Sequence, residues 1–214
     1  MNTRALDPKG MGRIDLSGKV ALVNGASRGI GEAIARGLAG CGAQLVLSSR
    51  DRASVQSVAD SIRADGGEAI ARSCHAGRLD DVNALFESIG EAFGRLDILI
   101  NNAATNPWFG PAVDLPPEAF DKTVDVNLKG PYYMMARAIP LMIKGGGGSI
   151  VNVASIAALL SMSGQAVYAM TKAGLVSLTK SFAKEYGQQG VRVNAILPGV
   201  VDTRLASALV EDPG

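Results

Sequence analysis

Histidine occurs once, at His75, and cysteine twice, at Cys41 and Cys74. Two cysteines exclude a disulfide framework, so both are expected as reduced thiols buried in a cytosolic core. One histidine without a cysteine cluster supplies no metal site. Aromatic residues make up only 5% of the chain, so the core must be aliphatic. Neither sign of charge is in excess: Lys and Arg number 21, Asp and Glu 20, net +1. A dedicated nucleic-acid binder usually carries a clear basic surplus. No window approaches 18 uninterrupted apolar residues, so no spanning helix is expected. The opening MNTRALDPKGMGRIDLSGK has no apolar h-region, so it is not a secretory signal. A soluble, cytoplasmic protein is expected, with residues 1–12 a disordered extension before one domain over 13–214.

Glycine is the residue in surplus, 26 of 214, against a background of roughly 7%. Without a repeat period, that surplus indicates tight turns or close backbone approaches to a ligand. Short β-branched runs alternate with stretches of helical period. Strands are predicted at 19–24 (KVALVN), 43–49, 68–74, 96–101 (LDILIN), 149–154 (SIVNVA) and 191–197 (VRVNAIL). Helices are predicted after residue 30, then over 51–64, 79–93, 118–144 and 165–186, the fourth interrupted near Gly130-Pro131 and Pro140. Alternation of this kind with wholly apolar strands implies a parallel sheet covered on both faces. Right-handed crossovers make it the α/β, doubly wound Rossmann arrangement.

The loop Asn24-Gly25-Ala26-Ser27-Arg28-Gly29-Ile30-Gly31 lies between the first strand and the first helix. Glycines there let the backbone turn sharply toward a pyrophosphate, and the helix N-terminus offers free N–H groups. Tyr168 and Lys172, four apart, share a helix face. Ser155 follows the fifth strand, at the end where such sheets bind ligands.

From Ile14 to Thr203 the chain resembles the short-chain dehydrogenase/reductase family. The resemblance rests on Gly25, Gly29 and Gly31, on Asn101-Asn102-Ala103-Ala104 after the fourth strand, on Asn127 in Val-Asp-Val-Asn-Leu, on Ser155, on Tyr168-Ala-Met-Thr-Lys172, and on Pro198-Gly199 with Thr203. It implies an NADP(H)-dependent oxidoreductase that reduces a ketone or aldehyde, or oxidises the secondary alcohol, with Tyr168 as general acid/base. A free tyrosine titrates near 10, and a neighbouring ammonium, Lys172, is expected to lower that by about 1–3 units. Lys172 would also hold the nicotinamide ribose, and Ser155 would donate to the substrate oxygen. Asn127 resembles the family residue that holds a water linking the lysine to solvent; alternatively it is a polar residue that kinks a helix.

The resemblance places the dinucleotide against Gly25, Ser27, Arg28, Gly29, Ile30 and Gly31, then Asn102, Ala103 and Ala104, with Tyr168 and Lys172. Pro198, Gly199, Val201 and Thr203 complete it. His75 stands where many members have Asp at the adenine edge, so it either touches adenine or has a plain loop role. Asn24 replaces the usual Thr but can still hydrogen-bond the adjacent strand. An NAD site usually has an acidic residue after the second strand. Here Ser49 and Arg50 occupy that place. Arg50 can pair with a 2′-phosphate and Arg28 is a second candidate, so NADP is expected over NAD. Asp51, one position later, is expected to cap the next helix.

Members usually run some forty residues further, so a sheet without the last strand and substrate lid is expected. If Gly214 is the natural end, the sixth strand is an exposed edge and a dimer is expected at most; if the chain continues, the family's homotetramer. A small apolar carbonyl or alcohol substrate is expected, with Trp108, Phe109, Leu159, Leu160 and Met162 flanking its pocket. No membrane or nucleic-acid partner is expected. The competing reading is a catalytically weak cofactor-binding or scaffold protein of the same fold.

Overall fold

The computed structural model describes residues 14–201. The 1–12 extension and Thr203 therefore lie outside the described residues. Six strands form one parallel sheet: β1 (Val20–Asn24), β2 (Gln44–Ser49), β3 (Glu68–Ser73), β4 (Ile98–Asn101), β5 (Gly148–Val153) and β6 (Val191–Ile196). Their order across the sheet is β3-β2-β1-β4-β5-β6. The order reverses between β1 and β4, which is where an open α/β sheet forms its binding crevice.

The helices are α1 (Gly29–Gly40), α2 (Arg52–Ala64), α3 (Leu79–Phe93), α4 (Pro117–Val124), α5 (Gly130–Lys144) and α6 (Ala166–Tyr186). Both sheet faces are apolar because alternate strand residues serve opposite cores. On one face Val20 and Leu22 pack with Val82, Leu85 and Ile89 of α3, Met134, Met135 and Met142 of α5, and Phe182 of α6. On the other, Ala21 and Val23 pack with Ala35 of α1 and Val55, Val58 and Ile62 of α2. Both cores are largely aliphatic, as 5% aromatics requires, and the first adds three methionines.

Two predicted boundaries shift for physical reasons. β4 begins at Ile98, not residue 96. Asp97 is spent outside the sheet: its carboxylate accepts from the Val20 N–H at 2.9 Å and from Arg95 at 2.6 Å. The long helix around 118–144 is not broken at Pro140, which lies inside α5. Its irregularity is a π-turn, Asp125–Lys129, between α4 and α5. Cys74 is buried as expected, but Cys41, the residue that ends α1, is only half-buried.

Candidate active site

The glycine loop is built by close approach. Gly25 has φ +83, and a Cβ on it would sit 2.6 Å from the Ala103 nitrogen. A Cβ on Gly31 would lie 2.1 Å from the Gly25 carbonyl oxygen and 2.5 Å from Asn102 Nδ2. Only glycine permits these contacts. Asn102 Nδ2 donates to the Gly25 carbonyl at 2.8 Å, tying the end of β4 to the loop. Asn24, the departure from threonine, does bond its neighbour: Ser48 Oγ donates to its Oδ1 at 3.1 Å.

A cavity of ≈ 770 Å³ opens over this loop, walled by Gly25, Ser27, Arg28, Gly29, Ile30, Ser49, Arg50, Asn102, Ala103 and Ala104. Its shape suits a dinucleotide: a glycine cradle at one end and two exposed arginines at the rim. Asp51 also reaches the wall, although its carboxylate caps α2, accepting from the Ala53 N–H at 3.0 Å. Hydrogen bonds from the Ser54 hydroxyl and the Ala53 N–H, with a smaller pull from the Arg28 guanidinium, hold its carboxyl below the usual range. His75 is flanked on the wall by Cys74 and Ala76, which line it directly. The His75 N–H of the backbone donates to Asp81 at 2.8 Å, while its Nδ1 is buried without a partner. Burial, and then Arg78 and Arg50, hold the imidazole pKa down. Burial pushes the Cys74 thiol up to about 12, so it is an inert wall.

Ile30, Asn102 and Ala104 also line a second cavity, ≈ 160 Å³, so the two spaces adjoin. Ser155, Tyr168 and Lys172 meet on its wall, with Pro198, Gly199 and Val201. Each comes from a different device. Ser155 caps a 3-10 turn after β5, its Oγ accepting from the Ala157 N–H at 3.1 Å. Tyr168 and Lys172 sit one turn apart near the start of α6. Ser155 and Tyr168 stand together on this wall, and the Ser155 side chain favours the phenolate form of Tyr168. Lys172 is 2% exposed, and its Nζ donates to the Val153 carbonyl at 2.8 Å.

The electrostatics differ from the expectation for Tyr168. Its phenol pKa is raised, because burial outweighs the Ser155 hydrogen bond. Lys172 does not lower it here: its Nζ stands 5.7 Å from the ring centroid, and burial pulls the ammonium itself down to about 8. Low dielectric penalises both charged forms at once.

Asn127 lies in the π-turn, fully buried. Its side chain clasps the loop after β4, donating to the Thr105 carbonyl and accepting from the Thr105 N–H, both at 2.8 Å. Its Nδ2 also lies 3.3 Å from Thr171 Oγ1, next to Lys172. Phe109 and Met162 line the catalytic cavity as expected. Leu159 and Leu160 are instead 71% and 62% exposed, on the outer side of the 3-10 turn. Trp108 lines a small adjoining void. Sequence reasoning missed Asn106 and Gln165 on the cavity wall. Gln165, three residues before Tyr168, was visible as a polar residue on that face.

The model of the short chain dehydrogenase family matches residues 19–214. The chain belongs to this family. Among relatives, dehydrogenase/reductase SDR family member 4 of Oryctolagus cuniculus is 42% identical over 200 residues, covering 94% of this chain and 77% of that protein. L-rhamnose 1-dehydrogenase (NAD(P)(+)) of Azotobacter vinelandii is 44% identical over 190 residues, covering 86% and 74%. Among solved structures, a metagenomic short-chain oxidoreductase in complex with NADP superposes with TM-score 0.83 at 41% identity, covering 86% of this chain and 84% of that one. A gluconate 5-dehydrogenase of Burkholderia cenocepacia, in complex with NADP and tartrate, gives TM-score 0.89 at 32% identity, covering 94% and 78%. Family membership makes the chain a short-chain oxidoreductase, a family whose solved members include these NADP-bound structures. Among the described residues no helix is long and apolar enough to cross a membrane.

Proposed function

We propose that the protein is an NADP(H)-dependent oxidoreductase that interconverts a neutral ketone or aldehyde and its alcohol. The observation that carries this reading is the convergence of Ser155, Tyr168 and Lys172 on one cavity adjoining the glycine-loop cavity. When bound, NADPH supplies the hydride. The chain's own residues do the rest. Ser155 Oγ, oriented by its turn, donates to the substrate oxygen and stabilises the charge that develops there. Tyr168 delivers a proton to that oxygen; its raised pKa keeps the phenol protonated through neutral pH, the form a reductase needs. Lys172, anchored on the Val153 carbonyl, presents its ammonium to the ribose side of the site. Asn127 fixes the floor through Thr105 and, by way of Thr171, sets the start of α6; we assign it the water-linked path from Lys172 to solvent.

Preference for NADP over NAD follows from the wall after β2. Ser49 spends its hydroxyl on the Asp51 carbonyl at 2.9 Å, and Arg50 and Arg28 lie exposed on the cavity wall. Asp51 is turned into α2 by its capping bond, which leaves the arginines to meet a 2′-phosphate. His75 is assigned to the adenine edge on its place between Cys74 and Ala76 of the cavity wall. The protein is proposed to act as a soluble cytoplasmic homo-oligomer. Fluorescence titration with NADPH and NADH, followed by NADPH oxidation with a panel of neutral ketones, tests the reading. Tighter NADPH binding with ketone-dependent oxidation supports it; binding without any turnover would instead favour a scaffold.

A further inference from the structure

Beside the catalytic hydroxyls lies a group of polar side chains that the proton and hydride chemistry does not use. Gln165 is 4% exposed and lines both the catalytic cavity and a small void of ≈ 10 Å³ next to it. Asn106 and Tyr168 line both spaces too. Gln165 holds the N-cap position of α6, three residues before Tyr168, so the two side chains leave neighbouring positions of one helix face. The amide of Gln165 can make several hydrogen bonds. Its Nε2 has only the Met162 sulfur, at 4.0 Å, a weak acceptor. Trp108, on the wall of the same void, has its Nε1 buried with no partner. A buried N–H without an acceptor is costly, and native structures keep such groups where a ligand or water completes them.

The charge pattern narrows what completes these. Lys172 is the one charged side chain on the wall of the catalytic cavity among the described residues, and its Nζ is bound to the Val153 carbonyl. The void beside it has none. A carboxylate placed there would lack a counter-charge. The remaining wall is largely apolar, from Phe109, Ile156, Met162 and Val200.

We propose that Asn106 and Gln165, which line the catalytic cavity itself, form a recognition subsite for a second, uncharged oxygen on the substrate. The substrate class is then a neutral carbonyl compound bearing a hydroxyl or carbonyl group close to the reacting carbon, rather than a monofunctional ketone. The proposal rests on reading Ser155, Tyr168 and Lys172 as a carbonyl-reducing centre. Such an oxygen accepts from Gln165 Nε2–H, whose present partner is only the Met162 sulfur, while the reacting oxygen meets Tyr168 and Ser155. Gln165 is thus a specificity-determining residue, and discrimination follows because a substrate lacking the second oxygen leaves buried donors unpaired.

Trp108 is the chain's single tryptophan, so its intrinsic fluorescence reports the subsite without a label. The experiment titrates the protein saturated with NADP⁺ with cyclohexanone and with 2-hydroxycyclohexanone, which differ by one oxygen, and measures NADPH-dependent kcat/KM for both. The expected result is tighter binding and higher kcat/KM for the hydroxyketone, by about tenfold. In Gln165→Leu, which keeps the volume and removes the amide, the ratio between the two ketones falls toward one. Equal affinity of the wild-type protein for both ketones overturns the proposal without any variant. An unchanged ratio in Gln165→Leu overturns the role of Gln165. Should that variant fail to fold, Asn106→Leu, read through the kcat/KM ratio, makes the same test. A binding preference without NADPH oxidation would contradict the reductase reading and keep the subsite. Reduction of both ketones without preference would do the reverse.

Discussion

At the scale of single residues, burial governs the site more than pairwise charge. Lys172 shows this most clearly. Its folded pKa near 8 lies below the ordinary 10.5. A lysine depressed on folding binds fewer protons folded than unfolded between those values. Its buried charge therefore costs stability in full below pH 8, and the cost is relieved as pH rises toward 10.5. Replacing it removes that cost, about 3 kcal/mol at most. Lys172→Met is expected to melt above the wild type at pH 7, with the gap closing by pH 10. A gap independent of pH would show that the amine is well solvated. Arg50 makes a different test. In Arg50→Asp the new carboxylate repels a 2′-phosphate, and losing one charge-assisted bond costs about 1.5–3 kcal/mol. The ratio of NADP to NAD dissociation constants should shift more than tenfold toward NAD; an unchanged ratio would place Arg50 in solvent. The identities of these residues were legible in the sequence, because motif spacing fixes them. The direction of the Tyr168 shift was not, because it depends on how many groups pack around the phenol.

At the scale of elements, α6 has to hold Tyr168 and Lys172 in register against β5. A buried polar chain does this. Asn101 Nδ2 donates to Asn152 Oδ1 at 2.8 Å, and Asn152 Nδ2 donates to Thr179 Oγ1 at 2.9 Å, two turns beyond Lys172 on the same helix. Asn152 is fully buried and immediately precedes Val153, whose carbonyl holds Lys172. Asn152→Leu is expected to destabilise the fold by about 1–3 kcal/mol, since it orphans a donor on Asn101. Denaturant melts check this; wild-type stability would mean that the chain only fills space. The elements themselves were readable from apolar period alone, with α3 over Leu79–Phe93 as predicted. The π-turn at Asp125–Lys129 was not readable. Its cause is Asn127 bonding Thr105, 22 residues back in the chain, and local patterns carry no trace of that contact.

At the scale of the whole molecule, function follows from which strand ends meet. The order β3-β2-β1-β4-β5-β6 sets the glycine loop after β1 beside the Asn102 segment after β4 and the Ser155 turn after β5. Strict alternation of strand and helix foretold the doubly wound class, because apolar strands need cover on both faces. Side-chain contacts such as Gln165 at the cavity wall emerged only once α6 and the loop after β4 were placed together. The central claim is that this crevice moves a proton through Tyr168 while holding NADPH. Tyr168→Phe keeps the ring and removes the hydroxyl, so ketone-dependent NADPH oxidation measured beside NADPH affinity tests it directly. The expected result is a loss of about 10²–10⁴-fold in kcat with affinity for NADPH changed only a few-fold; a variant retaining more than about a tenth of the wild-type rate would contradict the claim.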